Sequence, residues 1–142
     1  MPAVADPGSS VVRAAHELGI RVVPLVGPVS LLLALAASGL NGQNFAFVGY
    51  LPQDSAARTQ RLRELENLAA KHGQTQLFIE TPYRNQALWD ALVNGLQGNT
   101  RLARASGLTL ASMQVQCKTV QAWRSAGKTP ISGEPTVFLI GK

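Results

Sequence analysis

The sequence VVPLVGPVSLLLALAASGL, which starts at Val22, is the most apolar stretch of the chain, and proline interrupts it twice. A helix that crosses a membrane needs about 20 continuous apolar residues. Pro24 and Pro28 leave only residues 29–38 for a helix, which would be about 15 Å long at 1.5 Å per residue. The run therefore does not predict a membrane span. It predicts a short buried strand at residues 21–24, a tight turn and a helix.

The turn between this strand and this helix is a candidate ligand site. It consists of Gly27, Pro28, Val29 and Ser30. In an open α/β sheet, a turn that follows a strand and opens a helix lies at the carboxyl edge, where ligands bind. Free N–H groups at a helix start can hold a carboxylate or a phosphate, and Ser30 adds a hydroxyl. A purely structural turn is the other interpretation of this spacing.

The rest of the chain alternates between helical and strand patterns. A helix that ends at Gly19 is expected before the apolar run. After the run we expect, in order, a strand at 45–48, a linker at 49–53, a helix at 55–72, a strand at 75–80, a helix at 84–96, two strands within 101–120, a helical turn near 123 and a strand at 133–142. This order predicts an α/β fold with a mixed, partly antiparallel sheet flanked by helices. The change of composition after Asn41 predicts a domain boundary that divides the chain into residues 1–46 and 47–142.

Glu80 stands at the carboxyl end of a predicted buried strand, and Arg84 opens the helix that follows. A buried acid is costly unless it is paired or hydrogen-bonded, and Arg84 is the obvious partner. The sequence leaves open whether this pair contacts a ligand or is only structural.

The net charge is +5, and its distribution is uneven. No acidic residue lies between Asp90 and Glu134, whereas the basic residues there are Arg101, Arg104, Lys118, Arg124 and Lys128. A segment with one sign of charge suits a polyanionic partner, although a basic surface without a partner is the alternative. The first half of the helix at 55–72 adds Arg58, Arg61 and Arg63.

The few cysteine and histidine residues exclude some kinds of site. Cys117 is the one cysteine, so an intramolecular disulfide cannot form, which agrees with a reducing cytoplasm. His16 and His72 lack the spacing of metal ligands, and we expect no metal site.

Three segments of the chain, taken in order, carry a family resemblance. The first is ADPGSSVVRAAHELGIRVVPLVGPVSLLLALAASGL, which is similar to the DPG turn, the VVPxPGPSA loop and the SGL segment of the tetrapyrrole methylase superfamily. FAFVGYLPQD resembles the GFLP linker, and FIETPYRN the YESPHR segment, of its branch that methylates a ribose 2′-hydroxyl of bacterial small-subunit ribosomal RNA. The resemblance covers nearly the whole chain.

The resemblance implies a two-domain α/β enzyme that binds S-adenosylmethionine in the cleft between its domains, usually as a cytoplasmic homodimer. The cofactor residues that it implies here are Gly27, Pro28, Val29, Ser30, Glu80, Thr81, Thr119, Pro135 and Thr136. With a ribosomal RNA acceptor, Glu80 is the candidate base for the 2′-hydroxyl proton. The phosphate-binding candidates are Arg58, Arg61, Arg63, Arg84, Arg101 and Arg104.

Family members begin with a strand and a glycine-rich loop that forms much of the cofactor site, and neither is found in this sequence. We therefore expect that the chain is truncated at its N-terminus and inactive in isolation. Two alternatives stay open beside the ribosomal RNA enzyme. One is a methyltransferase for tetrapyrroles or other small molecules, and the other is a catalytically inactive binding module with the same fold.

Overall fold

A computed structural model describes residues 1–131 and 133–142. The helices of this part are α1 (Ser9–Glu17), α2 (Ser30–Ser38), α3 (Ser55–His72), α4 (Asn85–Gly95) and α5 (Val120–Ser125). The strands are β1 (Phe45–Tyr50), β2 (Thr75–Ile79), β3 (Arg101–Ser106), β4 (Gln114–Thr119) and β5 (Thr136–Gly141). A 3-10 turn, Pro82–Arg84, precedes α4. Apart from one strand, these elements follow the order that the sequence predicts.

The five strands form one mixed sheet with the order β1-β2-β5-β3-β4. Strands β1 and β2 are parallel, and the other neighbours are antiparallel, which confirms the predicted mixed sheet. The register pairs Ile79 with Val137, and Ser106 with both Thr136 and Gln114. The ends of β1, β2 and β3 therefore meet the starts of β4 and β5 at one edge of the sheet, which we call the cavity edge.

Successive side chains of a strand point to opposite sides of the sheet, so both faces carry apolar side chains that need a cover. Helices cover both faces. Helix α2 packs on one face against β3, β4 and β5, and its buried residues lie in a cluster with Leu77 and Leu139. Helices α3, α4 and α5 cover the other face, where Phe78 and Phe138 stack at a centroid distance of 6.3 Å. No described helix has the length and apolar character that a membrane span requires.

The long helix α3 begins and ends where the sequence predicts. The backbone N–H of Ala57 donates a 2.8 Å hydrogen bond to Oδ1 of Asp54, which satisfies one of the free donors of the first turn. At the other end, Gly73 adopts a left-handed conformation with φ of 61°, which glycine reaches without strain.

The spacing of the apolar residues Leu62, Leu65, Leu68 and Ala69 predicts one buried face of α3, and the structure corrects this prediction at one position. Leu62, Leu65 and Ala69 are buried as expected, but Leu68 is exposed and Glu66 is buried in its place. The carboxylate of Glu66 accepts hydrogen bonds from the backbone N–H of Gln97 and from the hydroxyl of Thr100. These two donors satisfy the carboxylate, so an acid can stand where periodicity predicts a leucine.

The predicted strand at residues 21–24 is wrong. These residues lie in the described part of the chain, but they pair with no strand there, and Val23 and Leu25 are exposed. An extended segment becomes a strand only when a neighbour takes up its backbone hydrogen bonds, and Pro24 has no N–H to donate. Strand β1, by contrast, runs two residues beyond its predicted end at Val48 and includes the first two residues of the predicted linker.

Candidate functional site

A cavity of about 510 Å³ opens at the cavity edge. The parallel strands β1 and β2 end there, and α2 begins there, with Tyr50, Ile79 and Ser30 in the wall. Open α/β sheets bind ligands beyond the carboxyl ends of their parallel strands. The volume falls within the range of about 300–1,000 Å³ that is usual for small-molecule sites.

Six of the nine cofactor residues that the sequence suggests line this cavity. They are Val29, Ser30, Glu80, Thr81, Pro135 and Thr136. They come from three separate segments, namely the start of α2, the end of β2 and the start of β5. Because β5 lies antiparallel to β2 at the centre of the sheet, its first residues meet the last residues of β2.

The structure places the other three residues elsewhere. Gly27 and Pro28 border a separate pocket that the exposed segment 22–26 lines. Thr119 lies at the opposite edge of the sheet, where it pairs with Arg101 in the β3–β4 ladder. Its hydroxyl oxygen accepts a 3.2 Å hydrogen bond from the backbone N–H of Ala122, so Thr119 caps α5.

The carboxylate of Glu80 is fixed in the cavity wall. Its side chain is only 7% exposed, and its Oε1 forms a 3.1 Å ion pair with Nη2 of Arg84. The same Oε1 accepts hydrogen bonds from Nε of Arg84 at 3.2 Å and from the backbone N–H of Thr81 at 2.7 Å. The pairing that the sequence suggests is confirmed, and it holds a negative charge at the carboxyl end of β2.

A second carboxylate, which the sequence analysis missed, lies beside the cavity. Oε1 of Glu134 accepts a 2.9 Å hydrogen bond from the hydroxyl of Ser112, and the Glu134 carbonyl accepts one from the hydroxyl of Thr136 at 3.0 Å. Gly107, in the cavity wall, adopts φ of +58°, and a Cβ there would stand 2.5 Å from Oε2 of Glu134. The glycine after β3 was the available sign of this close approach.

The arginines proposed as phosphate ligands are not gathered in one place. Arg58 lies in the first turn of α3, where Nη1 donates to the carbonyl of Gln53 at 3.2 Å. Arg61 forms a 3.0 Å ion pair with Glu64 on the same helix, and Arg63, two residues after Arg61, is exposed. Of these three arginines, Arg58 is the one nearest the cavity edge along α3, because this helix begins five residues after the end of β1.

Of the other arginines of the prediction, Arg84 is paired with Glu80 in the cavity wall, whereas Arg101 and Arg104 do not face the cavity. Arg101 is exposed at the edge opposite the cavity, where β3 begins. Arg104 is buried, with its guanidinium 5.4 Å from the ring centroids of both Trp89 and Trp123. It donates to the carbonyl of Pro130 at 3.1 Å, and burial lowers the pKa of Arg104. This environment corrects the prediction that Arg104 is a phosphate ligand, because a buried guanidinium is not open to a strand of RNA.

Cys117 and the possible metal ligands show no reactive centre in the described part. Cys117 is half-buried in β4, and burial raises the pKa of its thiol, although the nearby charge of Arg101 acts in the opposite direction. Among the described residues, no group of three histidine, cysteine, aspartate or glutamate side chains could hold a metal ion.

Comparison by sequence relates the chain to ribosomal RNA methyltransferases, although no protein-family model matches it. It is 43% identical over 147 residues to ribosomal RNA small subunit methyltransferase I of Haemophilus influenzae, which aligns 99% of this chain with 50% of that protein. The protein of the same name from Pseudomonas aeruginosa is 34% identical over 143 residues, with 99% of this chain and 49% of that protein aligned. The Vibrio cholerae protein of this name is 36% identical over 115 residues, with 81% of this chain and 38% of that protein aligned. The chain spans half or less of the length of these curated relatives.

Solved structures of tetrapyrrole methyltransferases share the fold. The methyltransferase CobJ superposes with a TM-score of 0.60 at 19% identity, over 99% of this chain and 61% of that one. Uroporphyrin-III C-methyltransferase from Thermus thermophilus, solved with S-adenosylhomocysteine, superposes with a TM-score of 0.54 at 18% identity. The superposition covers 99% of this chain and 62% of that one. These identities are low, so the likeness concerns the fold, and it confirms the predicted fold class. By sequence the chain is similar to one part of the proteins named ribosomal RNA small subunit methyltransferase I, and it shares its fold with solved tetrapyrrole methyltransferases.

Proposed function

We propose that this chain is part of an S-adenosylmethionine-dependent methyltransferase that acts on a ribose 2′-hydroxyl of ribosomal RNA. The observation that carries the proposal is the cavity at the ends of β1 and β2, where three distant segments bring together six of the suggested cofactor residues. The names of the relatives, which are ribosomal RNA methyltransferases, support the choice of acceptor.

The residues of the cavity fit the chemistry of S-adenosylmethionine. Val29, Leu108 and Val137 supply apolar surface for the adenosine part of the molecule. Ser30 supplies a hydroxyl, and the free N–H groups in the first turn of α2 suit the carboxylate of the methionine part. The fixed negative charge of Glu80 suits the positive sulfur.

Methyl transfer is an in-line displacement, and its rate depends on the positioning of the acceptor. When bound, S-adenosylmethionine supplies the electrophilic methyl group. Glu80 is the proposed acceptor of the ribose proton, because its contacts with Arg84 and Thr81 all involve Oε1. No hydrogen bond from the described residues reaches Oε2, which can therefore face the hydroxyl.

The arrangement of the whole protein is also part of the proposal. Residues 1–46 are the end of an N-terminal methylase domain, and residues 47–142 form a C-terminal one. The exposed apolar residues of segment 22–26 suit a contact with further protein, either the rest of the relatives' length or the second copy in a homodimer. Arg58, Arg61, Arg63, Arg84 and Arg101 are proposed to contact phosphates of the RNA. A cytoplasmic location agrees with the single half-buried cysteine.

A binding experiment tests the cofactor site. The chain, and a longer protein with the full length of its relatives, would be titrated with S-adenosylhomocysteine by calorimetry. Ser30→Trp places an indole in the cavity and should weaken binding at least tenfold in the longer protein. Ser125→Trp, on the exposed end of α5, is the matched control and should leave affinity unchanged. Equal affinities for the two variants would refute the placement of the site.

A transfer experiment tests the acceptor. The longer protein would receive labelled S-adenosylmethionine and small ribosomal subunits from cells that lack its gene. Label in RNA that survives alkali at one dinucleotide is the expected result, because a methylated 2′-hydroxyl blocks cleavage. Intact cofactor binding without label would favour a tetrapyrrole or other small acceptor. Loss of both cofactor binding and label would favour a binding module.

A further inference from the structure

We propose that Tyr50 and Tyr83 form an aromatic platform at the mouth of the cavity, on which unpaired bases of the acceptor RNA stack. The inference rests on the proposed function, and it adds the residues that hold the acceptor strand beside the methyl donor. Base stacking on aromatic side chains is a general way in which proteins hold single-stranded RNA.

The topology of the sheet brings the two tyrosines to the same edge. Tyr50 is the last residue of β1, and the parallel register pairs it with Ile79 near the end of β2. Tyr83 lies four residues beyond Ile79, in the 3-10 turn that leads into α4. Tyr50 and Pro82 both line the cavity, and Tyr83 directly follows Pro82 in the chain.

These two rings are the most exposed aromatic side chains among the described residues. Tyr50 is 60% exposed and Tyr83 is 80% exposed, whereas both tryptophans are only 2% exposed. An aromatic ring stabilises the folded protein mainly when it is buried, so these two exposed tyrosines contribute little to the stability of the core. Their open faces are instead available to a flat partner.

Positive charge accompanies the rings. The guanidinium of Arg84 lies 5.1 Å from the ring centroid of Tyr83, and the Oε1 of Glu80 holds it there. Arg58 lies at the start of α3, which follows β1 at the same edge. An ordered arginine beside an exposed ring can contact a phosphate while the ring stacks on the neighbouring base. This combination favours a nucleic acid over an apolar protein surface.

A comparison of two RNA probes separates stacking from phosphate binding. The first probe is a labelled single-stranded oligonucleotide, and the second has the same backbone with abasic sites. Fluorescence anisotropy of the full chain would give the affinity for each probe at several salt concentrations. Because stacking requires bases, Tyr50→Ala and Tyr83→Ala should each weaken binding of the first probe by roughly 5- to 150-fold. The affinity for the abasic probe and its salt dependence should not change.

Matched variants keep the test decisive. Phe45 is 42% exposed at the other end of β1, so Phe45→Ala removes a ring away from the cavity and should leave both affinities unchanged. Tyr50→Phe and Tyr83→Phe keep the ring and should bind like the original chain. If Tyr50→Ala does not fold, Tyr50→Leu keeps an apolar side chain without a ring and serves instead.

Several results would overturn the platform. These are no RNA binding by the chain, an equal loss for both probes, no loss in either alanine variant, or the same loss in Phe45→Ala. S-adenosylhomocysteine binding, measured in parallel, reports on the proposed function separately. A platform that passes while cofactor binding fails would leave an RNA-binding protein without the proposed chemistry.

Discussion

Replacement of Arg104 by alanine should destabilise the protein without a direct effect on RNA binding. The guanidinium lies 5.4 Å from the centroids of Trp89 and Trp123, which pack edge to face at 4.9 Å. It also donates hydrogen bonds to the carbonyl of Pro130 and to Oε1 of Gln116, at 3.1 and 3.0 Å. Alanine would leave a void beside two buried rings and remove both hydrogen bonds.

The size of the effect follows from these contacts. Each desolvated cation–π contact contributes about 0.5–2 kcal/mol, and each hydrogen bond from a charged donor about 1.5–3 kcal/mol. The desolvation of the guanidinium, which also lowers the pKa of Arg104, offsets several kcal/mol of this gain. We expect Arg104→Ala to lower the free energy of unfolding by about 2–4 kcal/mol, which corresponds to a fall in Tm of about 10 °C.

Urea denaturation followed by tryptophan fluorescence measures this prediction directly, because the two tryptophans of the chain both contact Arg104. Arg104→Lys keeps the charge without the planar group and should fall between the original chain and Arg104→Ala. Arg63→Ala, at an exposed position of α3, is the control and should change the free energy of unfolding by less than about 0.5 kcal/mol. An Arg104→Ala variant that is as stable as the control but binds RNA less tightly would refute the structural role.

Three further predictions concern other parts of the fold. Arg124 donates to the carbonyls of residues 93 and 96 at 2.8 and 2.7 Å near the end of α4, so Arg124→Ala should lower the free energy of unfolding by about 1–2 kcal/mol in a urea titration, and an unchanged midpoint would contradict this. Gly107→Ala should destabilise more than Gly73→Ala, since both have positive φ but only the former would meet Glu134; equal thermal shifts would argue against the clash. Burial raises the pKa of Cys117, so the folded state holds the thiol proton more tightly, and this contribution is complete below about pH 8.5 and is lost as the pH rises through the folded-state value. Alkylation of Cys117 in the folded chain should therefore need a higher pH than in urea, and identical pH profiles would contradict the shift.

Local chemistry made most of the fold predictable. Asp54 and Gly73 mark the ends of α3 because a side-chain cap and a left-handed glycine act within one turn of the helix. The predicted strand at residues 21–24 was wrong because the prediction used composition alone. A strand also requires a neighbouring strand, which composition does not reveal. Glu66 was missed for a similar reason, since its hydrogen-bond donor at Gln97 is 31 positions away in the sequence.

The candidate site was predictable where its residues lie at the ends of strands. Glu80 and Thr136 adjoin strands whose direction fixes the edge at which they meet. Thr119 was suggested for the same site, but β4 returns antiparallel to β3, so its start and not its end lies at the cavity edge. Arg104 differs again, because a pattern of charges does not show which of them are buried between aromatic rings.

The central position of β5 has a consequence for the way this chain is made. The sheet order places β5, which is the last of the five strands in sequence, between β2 and β3. During synthesis the pairs β1–β2 and β3–β4 leave the ribosome first, and neither can join the other until β5 has emerged. The inner edges of β2 and β3 therefore stay unpaired until residues 136–141 have been synthesised, and unpaired edges are prone to association with other chains. The nascent protein should thus depend on protection by chaperones until β5 closes this sheet.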